Sequence, residues 1–252
     1  MRKLLFLLLA SNFLVQSFFA ATNPTLPFQV GERLEYDLSW GFVPVGSAVM
    51  EVNSLTKFKG EMCYLVRFSV QTNSFADAFY KVRTSIESTI ASDFSRSFVY
   101  RKSQEEGKTR RKIVVHYDYD EGKAIYSVGN HIQSTTPIPA RVFDPLSIAY
   151  FFRLQELQPN QEKALPTCDG KSFRNIIVRT GKKKTISVPA GKFDSIETIP
   201  EMHNLRGVFK KSPKGILRVW YSTDKRRIPV KISSKVIVGS FNAELTKTSG
   251  LK

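Results

Sequence analysis

The chain has 252 residues, 42% of them apolar, with 38 Lys and Arg against 22 Asp and Glu, for a formal charge of +16. That length and apolar share suit one core-forming domain and exclude a disordered polyelectrolyte. Two cysteines and three histidines exclude a disulfide-dense scaffold and a cysteine-rich zinc domain.

Arg2 and Lys3 precede an uncharged apolar run that starts at Leu4 and ends in Phe18-Phe19-Ala20-Ala21. A short basic start, an apolar stretch and small residues describe a secretory signal peptide. We expect residues 1–21 to be this signal and 22–252 to form a single β-rich domain. The expected mature chain starts near Ala21 or Thr22, has about 230 residues and lies in the periplasm or cell envelope. The polar interruptions at Ser11, Asn12, Gln16 and Ser17 argue against a spanning helix.

Period-two patterning then dominates. Leu34, Tyr36, Leu38 and Trp40 alternate with Arg33, Glu35, Asp37 and Ser39. Further series start at Met62, Val82 and Ile113, and others run through Phe173–Arg179, Ile216–Tyr221 and Val230–Val238. Such alternation places one strand face on a core. Asp120-Glu121-Gly122, Asp169-Gly170, Pro189-Ala190-Gly191 and Ser222-Thr223-Asp224 read as turns. The spacing predicts ten or more antiparallel strands. The fold class is mainly β: a large curved antiparallel sheet, a closed or nearly closed barrel, with one main helix as plug or lid. A two-sheet sandwich is the alternative.

Two segments leave the period. Ser74 to Tyr80 reads as a short helical turn. Asp144 to Leu157 is the main helix, with Asp144 at the N-cap and Pro145 at the first helical position. Leu146, Tyr150, Leu154 and Leu157 share one face, and Ile148 and Phe152 lie opposite, with Phe151 between. Burial on two sides is expected. Phe152, Ile148 and Phe151 are therefore the candidate ligand-binding residues.

No motif points to catalysis or a metal. There is no Gly-x-Ser-x-Gly elbow and no serine-lysine signature, and His116, His131 and His203 lack ligand-like spacing. Gly181-Lys182-Lys183-Lys184-Thr185 lacks the earlier glycine and the following helix of a phosphate loop. No cofactor is implied, and the chain reads as non-enzymatic. Trp40 and Trp220 read as core residues. Cys63 and Cys168 can form a disulfide in an oxidising compartment or stay two buried thiols; their spacing leaves both open. The basic clusters read as solvated strand faces and turn tips. The sharper alternative is attraction to an anionic envelope surface. Export and the lack of a nucleic-acid motif argue against nucleic acid.

Four stretches carry a family resemblance. They are Phe28-Gln29-Val30-Gly31-Glu32-Arg33-Leu34-Glu35-Tyr36, followed by Trp40 and Val45-Gly46-Ser47-Ala48; Asp144-Pro145-Leu146-Ser147 with Tyr150-Phe151-Phe152-Arg153; Val188-Pro189-Ala190-Gly191-Lys192-Phe193; and Trp220-Tyr221-Ser222-Thr223-Asp224 with Arg227-Ile228-Pro229-Val230. In this order they resemble an exported bacterial family called domain of unknown function 3108. The resemblance implies an envelope protein and supplies no catalytic residues. The stretches read as fold-determining.

Three functional readings follow. The first is an envelope protein that holds an apolar or amphiphilic ligand, such as a lipid, in its curved sheet. The second is a structural or partner-binding module with a filled core. The third is a hydrolase with an unrecognised site.

Overall fold

The computed structural model describes residues 26–201, 216–236 and 239–252. The expected signal segment, His203 and Lys210-Lys211 lie outside the described residues.

Among the described residues fourteen strands form one antiparallel sheet: β1 Arg33–Trp40, β2 Val43–Phe58, β3 Glu61–Thr72, β4 Val82–Ala91, β5 Ser97–Glu106, β6 Thr109–Asp118, β7 Lys123–Val128, β8 His131–Pro137, β9 Glu162–Cys168, β10 Phe173–Val188, β11 Gly191–Pro200, β12 Ile216–Ser222, β13 Pro229–Val236 and β14 Gly239–Ser249. Their order in space is β8-β7-β6-β5-β4-β3-β2-β1-β14-β13-β12-β11-β10-β9. Each strand pairs with its neighbour in the chain, and β1 also pairs with β14. The series breaks only between β8 and β9.

The sheet is therefore not a closed barrel. A twisted sheet this wide must curl, but the ladder stops at β8 and β9. The stretch between those edges holds the main helix. Its entry joins both halves of the sheet. Phe143 bridges Thr167 in β9, and Ser97 N, in β5, donates to the Val142 carbonyl at 3.0 Å. Across the gap, Thr136 Oγ1 donates to the Gly170 carbonyl at 2.9 Å.

Glycines sit where the backbone requires them. Gly31 has φ of +90° ahead of β1. At Gly46 a Cβ would collide with the Gln71 carbonyl of β3.

Among the described residues two helices are present, α1 Ser74–Asp77 and α2 Ser147–Arg153. Asn73 caps α1, accepting from Ala76 N at 2.9 Å. The main helix is half the predicted length. Its entry differs from the expected one: the N-cap is Leu146 without a side-chain cap, and Asp144 holds the turn ahead of it, its Oδ1 accepting from Leu146 N at 2.7 Å and Ser147 N at 3.0 Å. It stops at Arg153 with Leu154 as the C-cap, and the chain beyond is tied to Thr180 through Gln158 and Asn160.

The burial on two sides holds. Leu146, Tyr150 and Leu154 face the main core, with Leu34, Tyr36, Val52 and Ile90. Phe152, with Ile148 and Phe151 against it, enters a second cluster with Phe143, Leu165, Val178 and Tyr221. Leu157 lies in that second cluster and not on the Tyr150 face, because the helical register has ended before it.

Candidate functional site

The centre of the molecule is built around α2. Arg153 is fully buried, and its guanidinium forks onto both Glu32 oxygens, at 2.5 and 2.9 Å. It also donates to the Arg226 carbonyl at 3.1 Å and lies over the Phe28 ring, 4.8 Å from its centroid. Arg227 returns a bond, donating to the Arg153 carbonyl at 3.1 Å. Ser222 Oγ accepts from Ile228 N at 2.8 Å, fixing the turn that delivers these groups. Three of the four motif stretches thus meet at one ion pair. The fourth, Val188 to Phe193, forms the β10–β11 turn and is tied in where Ala190 N donates to the Leu245 carbonyl at 2.9 Å.

Buried tyrosines brace this centre. Tyr36 donates to the Pro229 carbonyl at 2.8 Å, Tyr150 to Glu51 at 2.8 Å, Tyr221 to Ala149 at 3.2 Å and Tyr117 to Cys168 at 2.7 Å. Burial pushes all four hydroxyls up in pKa, so they stay neutral donors.

A second polar cluster surrounds Asp144, which is fully buried. Its Oδ2 accepts from Ser88 Oγ and, at 2.6 Å, from Ser97 Oγ. Ser97 Oγ in turn accepts from Asp144 N at 3.0 Å. Ser147 Oγ donates to the Asp144 carbonyl at 2.9 Å. Burial raises the Asp144 pKa against the four hydrogen bonds that lower it. Three serines beside a carboxylate suggest nucleophilic chemistry, but each hydroxyl is spent on the helix entry and a triad needs a base between nucleophile and acid. His116 and His131 are exposed strand residues elsewhere. Asp144→Ala should cost about 2–3 kcal/mol, through the orphaned donors of Ser88, Ser97 and the turn ahead of α2. Denaturant unfolding of the variant at neutral pH measures it.

Among the described residues no three His, Cys, Asp or Glu side chains are grouped to hold a metal. Hollows of about 500, 380 and 330 Å³ are open surface depressions. The first lies at the rim of β3 and β4 by Glu61, Asp93, Arg96 and Arg141. None of the three is lined by Phe152, Ile148 or Phe151.

The cysteines are free. Cys63 is buried with Ala91, Phe98 and Val99, and Cys168 in the main core. Burial raises both thiols, Cys168 to about 11. Neither should alkylate at pH 8 in the native protein, and both should alkylate in denaturant without reductant. Peptide mapping after each treatment reads this.

Trp220 packs against the main core as expected, but Trp40 does not. It continues the phase of Leu34 and Tyr36 past the end of the core and is 49% exposed. The Lys182–Lys184 run is exposed throughout in β10.

This architecture, a curved antiparallel meander around a helix, is that of the β-barrel-like proteins. The chain belongs to the family described as Protein of unknown function (DUF3108), whose model matches residues 35–246. It is similar in fold to a β-barrel-like protein of domain of unknown function DUF1849 from Brucella abortus, at 12% identity and a TM-score of 0.57, over 88% of this chain and 98% of that one. Weaker likeness, at a TM-score of 0.36, extends to a protein described as exported with a YmcC-like fold from Bacteroides fragilis, at 12% identity over 89% of this chain and 98% of the other. No curated protein matches the sequence. No helix among the described residues is long and apolar enough to cross a membrane.

Proposed function

We propose that the protein is a non-enzymatic, exported module of the cell envelope whose interior is a filled core and which acts through its surface. The observation that carries this reading is the occupied centre: α2, the Glu32–Arg153 pair and the tyrosine braces take up the space where a carrier would hold its ligand. What weighs against a lipid carrier is the packing of Phe152, Ile148 and Phe151 on Phe143, Leu165, Val178 and Tyr221. What weighs against a hydrolase is the commitment of Ser88, Ser97 and Ser147 to Asp144. Export is supported by the basic and apolar start of the sequence.

The test is native mass spectrometry of protein purified from the envelope fraction of its own cells. The bare mass of the chain lacking residues 1–20 or 1–21 is expected. A stoichiometric lipid adduct would overturn the filled-core reading.

A further inference from the structure

One end of the sheet carries aromatic rings where a solvated rim would be polar. Trp40 and Phe241 stack with their planes 11° apart and their centroids 6.2 Å apart. Beyond them Phe42, at the β1–β2 turn, is fully exposed. The connection between β3 and β4 is fastened alongside. Asn73 N donates to the Val45 carbonyl, and the Asn73 amide to the Pro44 carbonyl, both at 2.9 Å. This seats α1 next to the turn, where Phe75 and Phe79 pair at 5.4 Å with exposures of 58% and 77%. Tyr80, also exposed, reaches the β5–β6 turn and lies against Gly107, whose N–H donates to the Lys81 carbonyl at 2.8 Å. Isolated exposed rings are ordinary, but a contiguous group marks an interaction surface.

Cations share this end of the sheet. Lys81, Arg83, Lys108, Arg110 and Arg111 lie on the connections or the strand ends beside them, against Asp77, Glu105 and Glu106. Arg83 engages Asp77, and Lys81 and Arg110 share Glu105. Among the described residues Lys108 and Arg111 make no ion pair.

We propose that this rim docks the protein on an anionic phospholipid bilayer, with Phe42 and Phe79 entering the boundary of headgroups and acyl chains and Lys108 and Arg111 meeting phosphates. The inference rests on the filled-core reading, which assigns function to the surface. Its chemistry is what an interface requires: exposed Phe rings, amphipathic Trp and Tyr, and cations at the same end of the sheet. The net positive charge, +16 for the whole sequence before Arg2 and Lys3 leave with the signal, adds long-range attraction to an anionic leaflet. The rings stand on strand ends and on the connections between them, and none of the six lines any of the three hollows.

The full exported chain should sediment with phosphatidylcholine vesicles containing phosphatidylglycerol, far less with phosphatidylcholine alone, and less as salt rises. Phe42→Ser/Phe79→Ser should melt like wild type and lower partitioning by about tenfold or more. Lys108→Ala/Arg111→Ala should weaken anionic binding roughly fivefold per cation. Absence of wild-type binding to anionic vesicles overturns the proposal. So does a concentration-dependent dimer in sedimentation velocity that the phenylalanine variant abolishes while vesicles stay unbound, which would give the rim to a second copy. Lipid carried off vesicles into the soluble fraction would sink the filled-core reading separately. The rim variants would still decide docking.

Discussion

Arg153→Ala should unfold at much lower denaturant concentration than wild type, with a loss of about 3–5 kcal/mol. The substitution leaves Glu32 charged, buried and without its fork of donors, and strips the Arg226 carbonyl and the Phe28 ring of their partner. A stranded buried charge is the larger part of that cost. The double variant Glu32→Leu/Arg153→Met should therefore recover most of the loss, since it strands no charge. The two substitutions should be strongly non-additive, because the residues touch. Urea unfolding of the two single variants and the double variant decides the point. A double variant no more stable than Arg153→Ala would mean that the pair is not what holds the three chain segments together.

Phe152→Ala should cost about 3–5 kcal/mol. Its ring is 4% exposed and packs 6.0 Å from the Tyr221 ring in a cluster that joins α2 to β9, β10 and β12. The cavity left behind is walled by strands already held in ladders, so it cannot collapse freely. Leu154→Ala should cost less, because that side chain is only half-buried. Thermal melts with mass spectra of the same samples separate packing from ligand binding. If Phe152→Ala melted like wild type but changed a bound lipid load, Phe152 would be a cavity residue after all.

The strands were legible because their signal is local. Alternation and turn residues such as Asp169-Gly170 and Ser222-Thr223-Asp224 act over two to four positions, and the structure puts turns at these places. The two-sided burial of α2 was legible for the same reason. What could not be read depends on chain segments far apart. Nothing near Glu32 announces that it pairs with Arg153, since that bond exists only after β1, α2 and the β12–β13 turn converge. The break between β8 and β9 was equally hidden, because alternation says which face is buried and not which edges meet. Trp40 was misplaced for a simpler reason: period two gives the facing of a side chain but not where along the strand the core ends.

The pairing of β1 with β14 has a consequence for how the chain folds. Arg33 lies opposite Ser249, so the first strand waits for almost the whole polypeptide before its second edge is covered. Hairpins from β2 to β8 and from β9 to β13 can form from close neighbours. The seam that joins them must pull two distant ends together, against the entropy of closing a loop of some two hundred residues. Such pairings are slow. Until the seam zips, β1 keeps an open edge that any other extended chain can template upon, so β14 serves as the cap against aggregation. A chain cut short before Gly239 should keep much of its local sheet and still precipitate.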